Sequence, residues 1–324
     1  MKISAVIPAY NNAEFISDAI NSILKQTCPI DEVIVIDDGS SDNTGQIVHN
    51  FPGNIRYHKQ TNQGPSAARN QGIKIARGDW IAFLDADDQW TPNKIEMQLA
   101  TLNRYPELHL IAGDMSEIDN HNQLLTVSVL AKHHLLQRFQ ELHGQPIPNA
   151  LAALINKNFI PTGTVLVKRE TLLTAGLFNE SIRFGEDLEL WAKIAARHPV
   201  TCLAEILMLR RQHGNNATQL TERMLADLVN VMQSLRHSIA ADLKQQGLNP
   251  DQLVADNYTN LGYWHFSETN YSKARLAFLA SLRETITRRA AVYFFSACLP
   301  HTLISGIKTI KQAIAQLRAF SHAK

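Results

Sequence analysis

Five short stretches of this chain hold side chains that can do chemistry. In GDWIAFLDADDQW (78–90), Asp85, Asp87 and Asp88 place three carboxylates within four positions at the end of an apolar run. Alternate residues of an extended segment point the same way, so Asp85 and Asp87 can face one ligand. Hard divalent cations take such oxygens, and Mg²⁺ or Mn²⁺ is held by one or two carboxylates with phosphates and waters completing the shell. A solvated acidic turn capping the next helix is the alternative. In IDDGSSDNT (36–44), Asp37 and Asp38 end a second apolar run. Either carboxylate can accept from a base N–H or a ribose hydroxyl, whereas Ser40–Thr44 reads as turn and cap residues. NQGPSAARNQG (62–72) opens a helix at Pro65, whose free N–H groups suit an anion. Arg69, one turn in, can reach a phosphate, hold a carboxylate or serve as a surface arginine. FGEDLELW (184–191) puts Glu186 and Asp187 at a helix start. The macrodipole favours carboxylates there, and a general base is the other reading. RRQHGNNAT (210–218) leaves His213 beyond a strand, one of 13 histidines.

The elements that position these groups follow from periodicity. ISAVIPA, EVIVID, IRYHKQ and DWIAFLD read as strands, separated by helical patterns at 15–24, 65–76 and about 92–105. Such alternation predicts an α/β fold with a mainly parallel sheet and helices on both faces. Sheets of this kind bind ligands outside the carboxyl ends of their strands, where PAYNN, DDGSSDNT and DADD all fall. No G-x-G-x-x-G follows the first strand and no P-loop signature occurs, which disfavours a dinucleotide dehydrogenase and a P-loop enzyme. Phosphate would be held another way, and a divalent cation is the obvious one. Further on, TGTVLVKRE predicts a strand, EDLELWAKIAARH a helix, and TCLAEILMLRRQH one or two strands. After about Gln219 the pattern is wholly helical.

The 324 residues carry a formal net charge of +1, so no global field argues for nucleic acid. Cys28, Cys202 and Cys298 form neither a disulfide framework nor a metal motif and are expected to be buried free thiols. The N-terminus lacks a signal-peptide pattern, and no run of about 18 apolar residues occurs. A cytoplasmic protein is expected, with peripheral membrane contact open.

In order and spacing, VIPAYNN, DEVIVIDDGSSDNT, NQGPSAARNQGIKIARGDWIAFLDADD and GLFNESIRFGEDLELW resemble the family 2 glycosyltransferases, on the GT-A fold, over about residues 1–218. The resemblance implies an inverting, hexosyltransferase-type enzyme. It would use a nucleotide-activated sugar, most often a UDP-sugar, with Mn²⁺ or Mg²⁺. It implies a nucleotide-sugar half (1–110), an acceptor half carrying the base (111–218) and a helical region beyond (219–324). By the same resemblance, Pro8, Ala9 and Tyr10 line the nucleobase, Asp38 reads it with Asp37 beside it, and Arg69 flanks the nucleotide. Asp85 then lies by the ribose, Asp87 ligates the metal, His213 is a basic or metal-binding residue near the diphosphate, and Asp187 is the catalytic base. Asp88 receives no role. The implied acceptor is a saccharide or lipid-linked saccharide, in cell-surface polysaccharide or lipopolysaccharide assembly. A nucleotidyltransferase and a sugar-nucleotide-binding scaffold are the rivals.

Asn257–Leu282 predicts one tetratricopeptide-like helical hairpin. After Glu284 there is no acidic residue. Leu303, Ile307, Ile310, Ile314 and Leu317 form an apolar stripe among basic residues, suited to an anionic membrane, to sealing the helical bundle or to a dimer seam.

Overall fold

Ile3–Ala9 and Glu32–Asp37 are buried at every position, as strands must be when helices cover both faces of a parallel sheet. A computed structural model describes residues 1–53, 55–213 and 221–299. The stripe from Leu303 to Leu317 and the Gly214–Thr218 part of the His213 loop lie outside the described residues.

In chain order the elements are β1 (Ile3–Ala9), α1 (Ile16–Leu24), β2 (Glu32–Asp37), α2 (Thr44–His49), β3 (Ile55–Lys59), α3 (Pro65–Ile75), β4 (Trp80–Phe83), β5 (Gln89–Trp90) and α4 (Lys94–Arg104). Then come β6 (Leu110–Ile118), β7 (Leu124–Thr126), α5 (Val129–Lys132), α6 (Leu136–Leu142), α7 (Ala150–Asn156), a 3₁₀ turn (Thr162–Thr164), β8 (Leu166–Lys168), α8 (Arg169–Ala175), α9 (Glu186–Arg197) and β9 (Val200–Arg211). Four helices complete the described chain: α10 (Glu222–Gln245), α11 (Pro250–Ser267), α12 (Tyr271–Glu284) and α13 (Arg288–Cys298).

One sheet runs β3-β2-β1-β4-β8-β6-β9-β5, with β7 on the edge of β6. The first four strands pair in parallel, as does β6 with β9, whereas β8 runs antiparallel to both β4 and β6. This is the mixed, mainly parallel sheet expected. One detail differs from the periodicity. TGTVLVKRE yields only three strand residues, because Thr162–Thr164 forms a 3₁₀ turn packed under Met208; a Cβ on Gly163 would lie 2.2 Å from the Met208 sulfur. TCLAEILMLRRQH is one strand, whose pairing with β6 shifts register between Gly113 and Met115.

Ile3, Ala5 and Ile7 of β1 and Val33 and Val35 of β2 share a face with Ile16, Ile20 and Ile23 of α1. The strand residues alternate at period two and the helix residues recur on one stripe. On the other face α3 comes close enough that a Cβ at Gly72 would meet Val6 at 2.3 Å. Of the three cysteines only Cys202 is buried; Cys298 is exposed.

The chain divides into two compact units, Met1–Gln219 with His237–Leu248, and Leu220–Arg236 with Asn249 onward. The 237–248 segment of the first unit contains a break at Ile239 (φ −139°) and is tied by Gln246 Oε1, which accepts from the Ala152 N–H at 3.0 Å. In the second unit Asn270 caps α12, accepting from the Lys273 N–H. Gly262 of α11 lets the Phe278 ring pack against the backbone, 2.7 Å from where a Cβ would stand. No helix among the described residues is long and apolar enough to cross a membrane.

Candidate active site

Because β1, β2 and β4 are parallel, their carboxyl ends share one rim. The loops there are sewn together by small polar side chains. The Asn11 N–H donates to Ser40 Oγ (2.9 Å), Asn12 N–H to Thr44 Oγ1 (2.9 Å), Ala13 N–H to Asp42 Oδ2 (3.0 Å) and Ser41 N–H to Asn11 Oδ1 (2.9 Å). Asn11 takes a left-handed backbone (φ 53°) to do this, a conformation Asn tolerates better than most residues. Pro8 and Ala9 are buried beneath the rim and Tyr10 stands out into solvent.

The two carboxylates of β2's end face different tasks. Asp37 is fully buried, accepting from Tyr57 Oη and from the Ser40 N–H at 2.7 Å, with Lys59 Nζ at 4.0 Å. Burial alone would raise its pKa, yet these donors and the Lys59 charge hold it below the ordinary value. Its oxygens are turned into the protein. Asp38 accepts from Gln60 Nε2 (2.8 Å), the Gln63 N–H (2.9 Å) and the Gly64 N–H (2.7 Å), and so shapes the entry to α3.

The crowded carboxylates after β4 each meet a different donor or partner group. Asp85 Oδ1 accepts from Arg69 Nη2 at 2.7 Å, and its side chain keeps 38% of its exposure. Asp87 Oδ2 lies 2.9 Å from His213 Nε2. Asp88 is buried and accepts from the Arg211 N–H at 2.9 Å. Burial, then the charges of Asp87 and Asp85, push its pKa well above the ordinary value. Arg211, which sequence reasoning passed over, is buried at the end of β9. Its guanidinium donates to the Asp87 carbonyl (3.2 Å) and to Asp18 Oδ2 (3.1 Å), and lies 4.8 Å above the Phe15 ring. The Phe15 ring also stacks on His213. The only trace of this in the sequence is a paired Arg210-Arg211 at the end of an apolar strand.

Asp87 Oδ2 and His213 Nε2 bond each other at 2.9 Å, and by type, a carboxylate oxygen and an imidazole nitrogen, both could instead turn to a divalent cation. Among the described residues no three His, Cys, Asp or Glu side chains group to hold a metal unaided. The shell would therefore be completed by substrate oxygens and water, as is usual for Mg²⁺.

At the start of α9, Glu186 Oε1 accepts from Arg69 Nη1 at 3.1 Å. Asp187 Oδ2 accepts from Asn158 Nδ2 at 3.3 Å, and Asn158 is itself oriented by the Ile160 N–H on its Oδ1 at 3.1 Å. Asn158 is a second residue that no sequence pattern singles out. Burial, then the Asp187 charge, push Glu186 up to about 7 against the pull of Arg69. Burial likewise raises Asp187, opposed by the Leu188 N–H, Arg69 and Asn158. Two partly desolvated carboxylates, one cation and a solvent-facing D-x-D pair thus lie along one rim. This is a place where a proton can be taken up beside a site for an anionic ligand.

Residues 4–158 match the family model "Glycosyl transferase family 2". Over that stretch the chain is similar to the family 2 glycosyltransferases. An uncharacterized glycosyltransferase of Rickettsia felis is 32% identical over 234 residues, which is 71% of this chain and 36% of that protein's length. The chain thus spans about a third of that relative. A UDP-Glc:alpha-D-GlcNAc-diphosphoundecaprenol beta-1,3-glucosyltransferase, WfgD of Escherichia coli, is 40% identical over 123 residues, 37% of this chain and 48% of that one. The crystal structure of S. aureus TarS 1-349 in complex with UDP-GlcNAc superposes with a TM-score of 0.66 at 19% identity, covering 91% of this chain and 84% of that chain. That likeness bears on the fold, and it agrees with the GT-A architecture.

Proposed function

We propose that the protein is an inverting glycosyltransferase that moves a sugar from a nucleotide diphosphate sugar, most simply a UDP-sugar, to a hydroxyl of a saccharide or lipid-linked saccharide. The observation that carries this reading is the junction at Arg69. One buried guanidinium bonds both Asp85 of the D-x-D pair and Glu186, the neighbour of Asp187, so the donor end and the candidate base belong to one site.

In this reading Pro8, Ala9 and Tyr10 line the nucleobase and Asp38 lies at its polar edge. Asp85 presents its outer oxygen to the ribose, and Asp87 with His213 holds Mn²⁺ or Mg²⁺. The cation, when bound, supplies Lewis-acid stabilisation of the charge that grows on the departing diphosphate. Asp187 accepts the proton of the acceptor hydroxyl as that oxygen attacks the anomeric carbon. Its pKa, raised by burial, makes it a stronger base than a solvated aspartate. Asn158 and the Leu188 N–H keep the carboxylate aimed. A single displacement inverts the anomeric centre. The acceptor that WfgD's name describes is a diphosphoundecaprenol-linked sugar. This favours a lipid-linked saccharide here, in cell-surface polysaccharide or lipopolysaccharide assembly at the cytoplasmic face, with the basic C-terminal stretch as a peripheral membrane contact.

The test is a panel of UDP-, GDP- and dTDP-sugars with Mn²⁺ or Mg²⁺ and lipid-linked saccharide acceptors, reading nucleoside diphosphate release and product anomer. Acceptor-dependent release with inversion is expected. Release of pyrophosphate, or donor binding with no transfer to any acceptor, would contradict the reading.

A further inference from the structure

Arg69 is a deeply enclosed cation of the rim, with 7% of its side chain exposed. It leaves α3 midway and lies against the Phe178 ring, 5.4 Å from its centroid. Nη2 donates to Asp85 at 2.7 Å and Nη1 to Glu186 at 3.1 Å, so the two terminal nitrogens of one rigid fork reach two elements 101 residues apart in sequence, since 186 − 85 = 101. Its Nε–H is buried without an acceptor among the described residues. The fork is therefore oriented by the two carboxylates, at the expense of its own third donor. So little of this side chain is exposed that a nucleotide would find few of its atoms to touch.

We propose that Arg69 is a positioning residue that fixes the donor side of the site, through Asp85, to the base side, through Glu186 at the first turn of α9, and that it is not a ligand of the nucleotide. This rests on the transferase reading for its consequences in catalysis. A base one residue along the same helix turn from Glu186 keeps its distance from the donor only while that turn is held. A lysine at position 69 offers one compact ammonium and cannot span both carboxylates as the fork does.

The experiment uses the full chain with Arg69→Lys. Misplacing a reacting group by about 1 Å costs up to about 100-fold in rate, so kcat should fall about 10- to 100-fold. The Kd for UDP by calorimetry should stay within about threefold of wild type. In Arg69→Gln, which removes the charge, the acid limb of the kcat/KM profile should move to higher pH, because the Arg69 charge pulls both Glu186 and Asp187 downward. Loss of UDP affinity by the same factor as activity, with the acid limb in place, would make Arg69 a nucleotide ligand and overturn the proposal. Wild-type kcat and an unmoved limb would overturn it as well. If Arg69→Lys does not fold, Glu186→Met removes the base-side acceptor and leaves Arg69 on Asp85. It should show the kcat loss with UDP affinity kept, and wild-type kcat would overturn the proposal. A readout independent of turnover is the carboxyl ¹³C titration of Glu186, whose midpoint should rise in Arg69→Gln. An unmoved midpoint would refute the link even if no donor were turned over, whereas wild-type inactivity with every donor would count against the transferase reading alone.

Discussion

Replacing Asp38 by Asn changes one oxygen into an amide nitrogen and tests what this carboxylate does in the folded protein. Asp38 accepts three hydrogen bonds, two of them from consecutive backbone N–H groups, Gln63 and Gly64, and is almost wholly buried. Asn can keep its oxygen on one side only, so at least one N–H then faces an NH₂ group. Bonds to a charged acceptor contribute about 1.5–3 kcal/mol and neutral ones about 0.5–1.5, while a buried donor left unpaired costs about 1–3 kcal/mol. Losing the charge on the retained bonds and stranding one donor sums to about 3–5 kcal/mol. For a domain of this size that lowers Tm by on the order of 10 °C. Calorimetry at fixed pH, with and without UDP, measures it. Should Asn shift Tm by less than about 2 °C, the three bonds would not be organising the entry to α3.

Other expectations are as specific. Gly262→Ala should destabilise the α11–α12 hairpin by about 1–3 kcal/mol, because the new Cβ meets the Phe278 ring at 2.7 Å; hydrogen exchange across Pro250–Glu284 should accelerate. His109 and His198 stack at 4.1 Å near Lys168. Burial, then the neighbouring positive charges, push His109 down to about 4 from 6.5, and burial likewise lowers His198. The unfolded chain thus takes up these protons first as pH falls. Stability is full above about 6.5 and declines toward pH 4, by about 1–2 kcal/mol after solvent screening. His198→Gln should make that decline in Tm shallower. Asp87→Ala should abolish the Mn²⁺-dependent part of UDP binding, read as equal calorimetric affinity with and without the ion.

The strands and the D-x-D spacing were legible because strand burial and side-chain alternation are local properties: Ile3–Ala9 and Glu32–Asp37 announce themselves by an apolar run, Asp85 and Asp87 by standing two apart after another. Arg69 was visible as a cation on a helix, but its partners were not, since Asp85, beyond β4, and Glu186, at the start of α9, reach it only in the folded chain. The same limit hid Arg211 and Asn158, whose roles consist of contacts with Asp87, Asp18 and Asp187 far away in sequence. The division between Asp37, turned inward onto Tyr57, and Asp38, bonded to the next loop, depends on which way each side chain leaves the end of β2. The break at Ile239 carries neither Gly nor Pro, so nothing in HSIAAD marked it.

The base assignment is the step on which the proposed chemistry depends, and Asp187→Asn tests it most directly. With the donor and acceptor that support turnover by the wild type, transfer and UDP affinity should be measured on the same preparation. The expected result is loss of transfer with metal-dependent UDP binding within about threefold of wild type. Wild-type-like transfer by Asp187→Asn would contradict the assignment of Asp187 as the base.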